Sequence, residues 1–134
     1  MAYEETLVSI TLDADASIGI YTGVPGQPGS PAPHGAKQYH FVKVTGAHTA
    51  GLTGLDEKAV GVLQNKPQSV GAASTVAISG VSLVVADGPI EAGDNIYSDA
   101  AGRASATGIS QNINGVAIES AGGAGELIPV LLTL

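Results

Sequence analysis

Short apolar runs, cut at regular intervals by Gly, Asp, Asn and Pro, fill the chain from Gly61 to Leu134. Val, Ile and Leu dominate these runs, a pattern that predicts strands joined by tight turns. The strongest stretch is residues 74–86, STVAISGVSLVVA. Val76, Ile78 and Gly80 share one parity and Val81, Leu83 and Val85 the next. The alternation switches at Gly80, which predicts a bulge or tight bend there. Asp87-Gly88-Pro89 then flanks an aggregation-prone window. Asp94–Ser98 and Arg103–Ala106 predict a hairpin, with Gly102 supplying a positive φ. Val116–Glu119 and Leu127–Leu134 predict a closing strand pair around the Gly-Gly-Ala-Gly loop at 122–125. Pro129 lacks a ladder donor and is expected on an edge or at a bulge.

Further upstream the signals are shorter. In residues 3–12, YEETLVSITL, Val8, Ile10 and Leu12 fall on one face and Leu7, Ser9 and Thr11 on the other, as in a strand with one apolar face. Tyr3, Glu4 and Glu5 precede it as an exposed tail. Residues 18–22 read as a second extended piece. Residues 38–44, QYHFVKV, carry bulk at both parities and predict a strand partly buried on each side. Residues 47–57 read as a loop, and Lys58–Leu63 restarts the sheet until Asn65-Lys66-Pro67 stops it. Apolar residues at helical spacing are absent from any long segment, so one short turn near 89–93 is the most helix expected. The chain is therefore all-β, a small barrel or sandwich. A weak echo links Gly61–Gln64 and Val76–Ile78 with Gly115–Glu119 and Ile128–Val130. It is explained as well by one good packing solution used twice as by duplication.

Composition narrows the class. At 134 residues the chain suits one domain and can bury a core without staples. Aromatics are 4% and charged residues 13%, so that core is aliphatic. The net charge is −7, and the five basic residues are scattered, which argues against a nucleic-acid-binding patch. With no cysteine, disulfides and thiolate metal sites are excluded. The N-terminus does not read as a signal peptide, and no apolar run approaches membrane-spanning length. Residues 23–35, GVPGQPGSPAPHG, contain three collagen-like triplets, with Val24, Pro25, Pro28 and Pro31 as candidates for a trimer axis or an exposed loop. The plainer reading is a polyproline-II surface segment.

Catalytic chemistry is not apparent. His34, His40 and His48 show no metal-ligand spacing. Asp13 with Asp15, and Asp56 with Glu57, read as solvated loop charges rather than an acid–base pair or a calcium loop. Nucleophile elbows and phosphate loops are missing. Asn114-Gly115 has turn chemistry, although its apolar neighbours leave the strands ambiguous.

From Tyr39 onward the chain resembles the head-decoration, or capsid cement, proteins of tailed bacteriophages. The resemblance is carried by Tyr39–Val44, Ala59–Pro67, Val76–Val81, Ile90–Asp94, Ser98–Arg103, Gly115–Glu119 and Gly125–Leu132, taken in order. It implies a β-tulip-like decoration domain over 39–134, with 1–38 an N-terminal arm and Pro/Gly loop of the same unit. It further implies a virion protein, made in the bacterial host cytoplasm, on the outer capsid surface. There it would clamp neighbouring major capsid subunits as a homotrimer at three-fold and local three-fold positions, with no catalysis, cofactor, metal, nucleic acid or membrane involved. Tyr3, Glu4, Glu5, Leu7, Val8, Ile10 and Leu12 are the capsid-contact candidates, an arm that could add to a neighbour's sheet edge. The same strand in the domain's own sheet is an equal expectation. A receptor- or carbohydrate-binding β module ranks second, weakened by the absence of Trp, and an enzyme a distant third.

Overall fold

The structure, a computed structural model, describes residues 7–19, 37–108 and 112–134. Ten strands and one short helix are present among them: β1 (Val8–Ala14), α1 (Ala16–Gly19), β2 (Phe41–Gly46), β3 (Thr49–Leu52), β4 (Gly61–Leu63), β5 (Ala73–Ser79), β6 (Val81–Val85), β7 (Asn95–Ser98), β8 (Ala104–Ser105), β9 (Gly115–Ala117) and β10 (Leu127–Leu132). The first five strands close a barrel in the order β1-β3-β2-β4-β5. The other five form a curled sheet in the order β6-β10-β9-β7-β8, and a parallel bridge between Ala86 and Ala104 brings its ends together. The chain is thus all-β, with the predicted break at Gly80. That residue has φ 100°, a conformation glycine adopts without strain, and it is where the chain leaves the barrel for the second sheet.

The two halves are one structure built twice. The pair Lys43↔Gly51 recurs as Tyr97↔Ser105, each partner 54 positions on (43 to 97, 51 to 105). Phe41↔Val62 recurs as Asn95↔Val116 by the same step. The first strand of each half follows a step of 72: Ala14↔Ala50 matches Ala86↔Ala104, with 14 moved to 86 and 50 to 104. Loop hydrogen bonds repeat as well. Asp15 N–H donates to Ala50 O at 2.9 Å, and Asp87 N–H to Ala104 O at 2.9 Å. Tyr39 N–H donates to Leu63 O at 2.7 Å, and Gly93 N–H to Ala117 O at 2.7 Å; both residues have positive φ. The seven buried residues at the centre of the barrel, Leu12 and Val76 among them, map onto seven in the second core, where Val84 and Val130 take those two places.

The difference between the two steps locates an insertion. Ile18 falls on Ile90 by the first-strand step, and both are core residues. Lys37 falls on Glu91 by the other step: each carbonyl accepts a bond from three residues on, at 3.1 Å in both repeats. Residues 19–36 therefore have no counterpart in the second repeat, an excess of 18 (72 less 54). The Pro/Gly segment lies wholly inside that insertion. It falls outside the described residues, as do Tyr21 and Thr22 of the piece read as extended.

The second barrel opens where the first closes. In the first repeat Asp13 N–H donates to His48 O at 2.6 Å. The matching groups of the second repeat turn to the first repeat instead: Val85 N–H donates to Tyr39 O at 3.0 Å, and Gly102 O accepts from Phe41 N–H at 2.7 Å. The backbone of Tyr39–Phe41 is thus wedged into the gap. A side chain at Gly102 would press on Phe41 O at 2.8 Å, and this position also has φ 77°. Asn114 fastens the seam below. It is fully buried, its Oδ1 accepts from Ala59 N–H at 3.0 Å, and its Nδ2 donates to Glu57 O at 3.1 Å.

Several expectations are corrected by this architecture. Residues 47–57 are not one loop, because Thr49–Leu52 pairs back on β2. Ile18 and Gly19, read as the start of an extended piece, instead end the helix α1: Asp15 caps the turn, its carboxylate accepting from Ser17 N–H at 2.8 Å, and this Asp-x-Ser start is a readable N-cap. The short helix is therefore here, whereas 91–94 forms only a turn, with Asp94 N–H donating to Glu91 O. Asp13 lies in a strand, not a loop. Asn114-Gly115 is no turn but the entry to β9. Pro129 sits in a central strand without a bulge, since β10 pairs on both sides. Its carbonyl accepts from Ile118 N–H at 3.0 Å just past the end of β9, so the missing donor costs the ladder nothing but its next bond. The echo seen in the sequence is real, with its return strand displaced by two residues: Val76 matches Val130, not Ile128.

Candidate interaction surfaces

The N-terminal strand is bound into its own barrel. β1 pairs with β5 over Val8–Asp13 and with β3 at Asp13 and Ala14. Leu12 is buried in the barrel core, so its side chain is not available to a partner. Leu7, Val8 and Ile10 are exposed at the other end of the strand. Alternation fails there because the inward parity runs out at the barrel mouth, beyond the core residues Leu12 and Ala14. Of the remaining contact candidates, Tyr3, Glu4 and Glu5 lie outside the described residues, as do Val24, Pro25, Pro28 and Pro31.

A second apolar surface lies on the outer face of the second sheet. In β6 it is Ser82 and Val84 that are buried, at 2% and 0% exposure, while Leu83 is 40% exposed. Across the ladder Leu83 pairs with Pro129, and its neighbours in β10, Leu127 and Leu131, are also exposed. Ile118 extends the same face beyond β9. The available signal was Ser82: a lone hydroxyl in a run apolar at both parities can mark the inner face when it has a partner inside. Here Gln64 Nε2 donates to Ser82 Oγ at 2.8 Å.

Charged groups mostly serve the fold. Lys43 Nζ bonds Glu57 Oε2 at 2.7 Å, and Arg103 Nε bonds Asp99 Oδ2 at 2.8 Å. Lys58 Nζ donates to Ile113 O at 2.5 Å. The hydrogen bond from Lys43 holds the Glu57 carboxyl below its ordinary range. Burial pushes the Asp15 carboxyl up, but bonds from Ser17 and Thr45 outweigh it and leave it lowered. Among the described residues, no three His, Asp or Glu side chains converge as a metal site would require.

His40 lies against the seam. It is 6% exposed, and burial, assisted by the charge of Lys37, holds its ring below the ordinary imidazole value; its Nδ1 lies 3.1 Å from Gln38 O, and this contact and Asp99 oppose the shift in part. The unfolded chain therefore takes up the proton at higher pH than the folded one. Stability from this group is full above the ordinary imidazole value and is lost as pH falls from there through the folded value. We expect the melting temperature to drop between pH 7.5 and 5.5, and His40→Gln to flatten that slope; an unchanged slope in the variant would exclude His40 as its source.

Comparison with solved structures gives the head fiber gp8.5 N base of bacteriophage phi29, with a TM-score of 0.64 and 18% identity, covering 96% of this chain and 95% of that one. At that identity the likeness shows the fold. No curated protein matches the chain. The phage cement protein family matches over residues 31–132, which takes in nine of the ten strands, β2 to β10. With most of both repeats inside the match, the chain belongs to the phage cement protein family.

Proposed function

We propose that this protein binds the outer surface of an assembled phage capsid and stabilises it by clamping neighbouring major capsid subunits, as a homotrimer at three-fold and local three-fold positions. Membership of the cement family carries the reading. The architecture suits it. Two fused barrels sharing a buried seam make a stiff body, and stiffness lets a clamp resist displacement of what it holds. The exposed residues Leu7, Val8 and Ile10 supply the capsid contact, and Leu12 only anchors the strand that presents them. The Pro/Gly segment, which falls between α1 and Lys37 in the sequence, is read as a projection at the trimer axis or outward.

The test is co-sedimentation of purified protein with expanded, undecorated capsids of its own phage. Saturable pelleting is expected, weakened on the order of 10-fold by Val8→Ser with Ile10→Ser, as loss of two partly exposed aliphatic contacts implies. No pelleting with the correct shell would overturn the reading.

A further inference from the structure

The repeat makes it possible to ask what each outer face is for. In the first repeat, Val62 and Ala77 face outward from the barrel yet are fully buried, because they pack into the core of the second repeat. Their counterparts 54 positions on (62 to 116, 77 to 131) are Val116 and Leu131, paired with each other; Leu131 is 44% exposed and Val116 half-buried. Around them the second repeat is more apolar than the first. Leu83 stands where the first repeat has Thr11, opposite Pro129 in one ladder and Thr75 in the other. Leu127 stands where it has Ala73, and Ile118 where it has Gln64. Leu83, Leu127, Leu131 and Ile118 are between 38% and 47% exposed. Four large aliphatic side chains on adjacent strands form a contiguous patch of the kind that marks an interaction site.

We propose that this face is the interface between copies of this chain, the second repeat of one copy packing against the first repeat of the next. Two observations favour a second copy over another partner. The equivalent face is already used within the chain, and what covers it there is a barrel of this same fold. The patch is also continuous with that seam, since Val85, on its β6 edge, donates its N–H across the junction to Tyr39 O. The first barrel is closed by the bond from Asp13 to His48, so the contact is side chain against barrel wall and does not repeat the backbone wedge. Such a head-to-tail contact uses two different surfaces and must close into a ring or grow into a filament. The inference rests on the trimeric part of the function proposed above, which supplies the closed ring and names no surface.

The experiment is sedimentation equilibrium of the full chain over a dilution series, free of capsids. Two triple variants are compared, both with Leu83, Leu127 and Leu131 changed. One carries Glu at all three. The other carries Thr, Ala and Ala, the residues the first repeat has at those places. Circular dichroism and melting verify the fold of each. Wild type is expected to form a discrete multiple of the 13.2 kDa chain. Both variants are expected to be folded and monomeric, with self-association weakened at least 100-fold. A wild type that stays monomeric at every concentration overturns the proposal, as does a folded variant of unchanged mass. Loss of capsid pelleting by variants of a monomeric wild type overturns it too, assigning the face to the shell. A wild type that self-associates through this face yet never pellets with capsids contradicts the proposed function and leaves the interface standing.

Discussion

Phe41→Ala is expected to lower the stability of the chain by about 4 kcal/mol, the usual cost of emptying a well-packed aromatic site. At this chain length that is a fall of about 12 °C in melting temperature. Phe41 is wholly buried and is the largest such side chain among the described residues. Its position makes it more than a core residue. It belongs by sequence to a strand of the first repeat, yet packs in the core of the second, beside Val84 and Ile96. Its own N–H closes the open side of the second barrel through Gly102 O. The cavity left by Ala would lie between the repeats, where neither barrel can collapse alone to fill it. Val44→Ala on the same strand, 55% exposed, is the control and should change stability by less than about 0.5 kcal/mol. If Phe41→Ala cost under about 1 kcal/mol, the seam would not be the structural centre of the molecule.

Gly61→Ala and Gly115→Ala should each cost about 3 kcal/mol, the upper part of the range for forcing atoms into packed space. The two glycines hold the same place in the two repeats. A side chain at Gly61 would collide with the carbonyl of Ala77 and with Val76; at Gly115 it would collide with the carbonyl of Leu131 and with Val130. In both cases the obstacle includes backbone of a paired strand, which cannot move without breaking the ladder. Gly123→Ala meets nothing within 4 Å and should be neutral within about 0.5 kcal/mol. Chemical denaturation of the three variants measures this. A large loss for one of the paired glycines and none for the other would contradict the equivalence of the repeats.

Those glycines also show how far the sequence could be read. The pattern Gly-Val-(Leu/Ala) was visible at both places, and so was the echo between them, because a strand that must approach its partner closely needs glycine wherever it occurs. The alignment of the return strands was not readable. Ile128-Pro129-Val130 resembles Val76-Ala77-Ile78 in composition, and only the ladder shows that Val76 matches Val130. The insertion at 19–36 further hid the first strand's relation to β6 by displacing one from the other. β3 was missed because Gly51 and Gly54 gave turn signals, while Gly51 in fact makes room for the carboxylate of Asp15. The outer apolar face was missed for a different reason. Parity assigns apolar residues inward by assuming that the outside is wet, and Leu83, Leu127 and Leu131 break that assumption. Of the contact candidates at the N-terminus, the sequence pattern grouped Val8, Ile10 and Leu12, and burial divides them: the first two remain open to a partner and Leu12 is spent on the core.

The measurement that bears most directly on a cementing role is the temperature at which expanded, DNA-filled shells lacking this protein release their DNA, recorded with and without saturating protein. Clamping neighbouring subunits predicts a clear rise on addition, reaching its limit when the binding sites fill. Binding to saturation with no change in release temperature would contradict it.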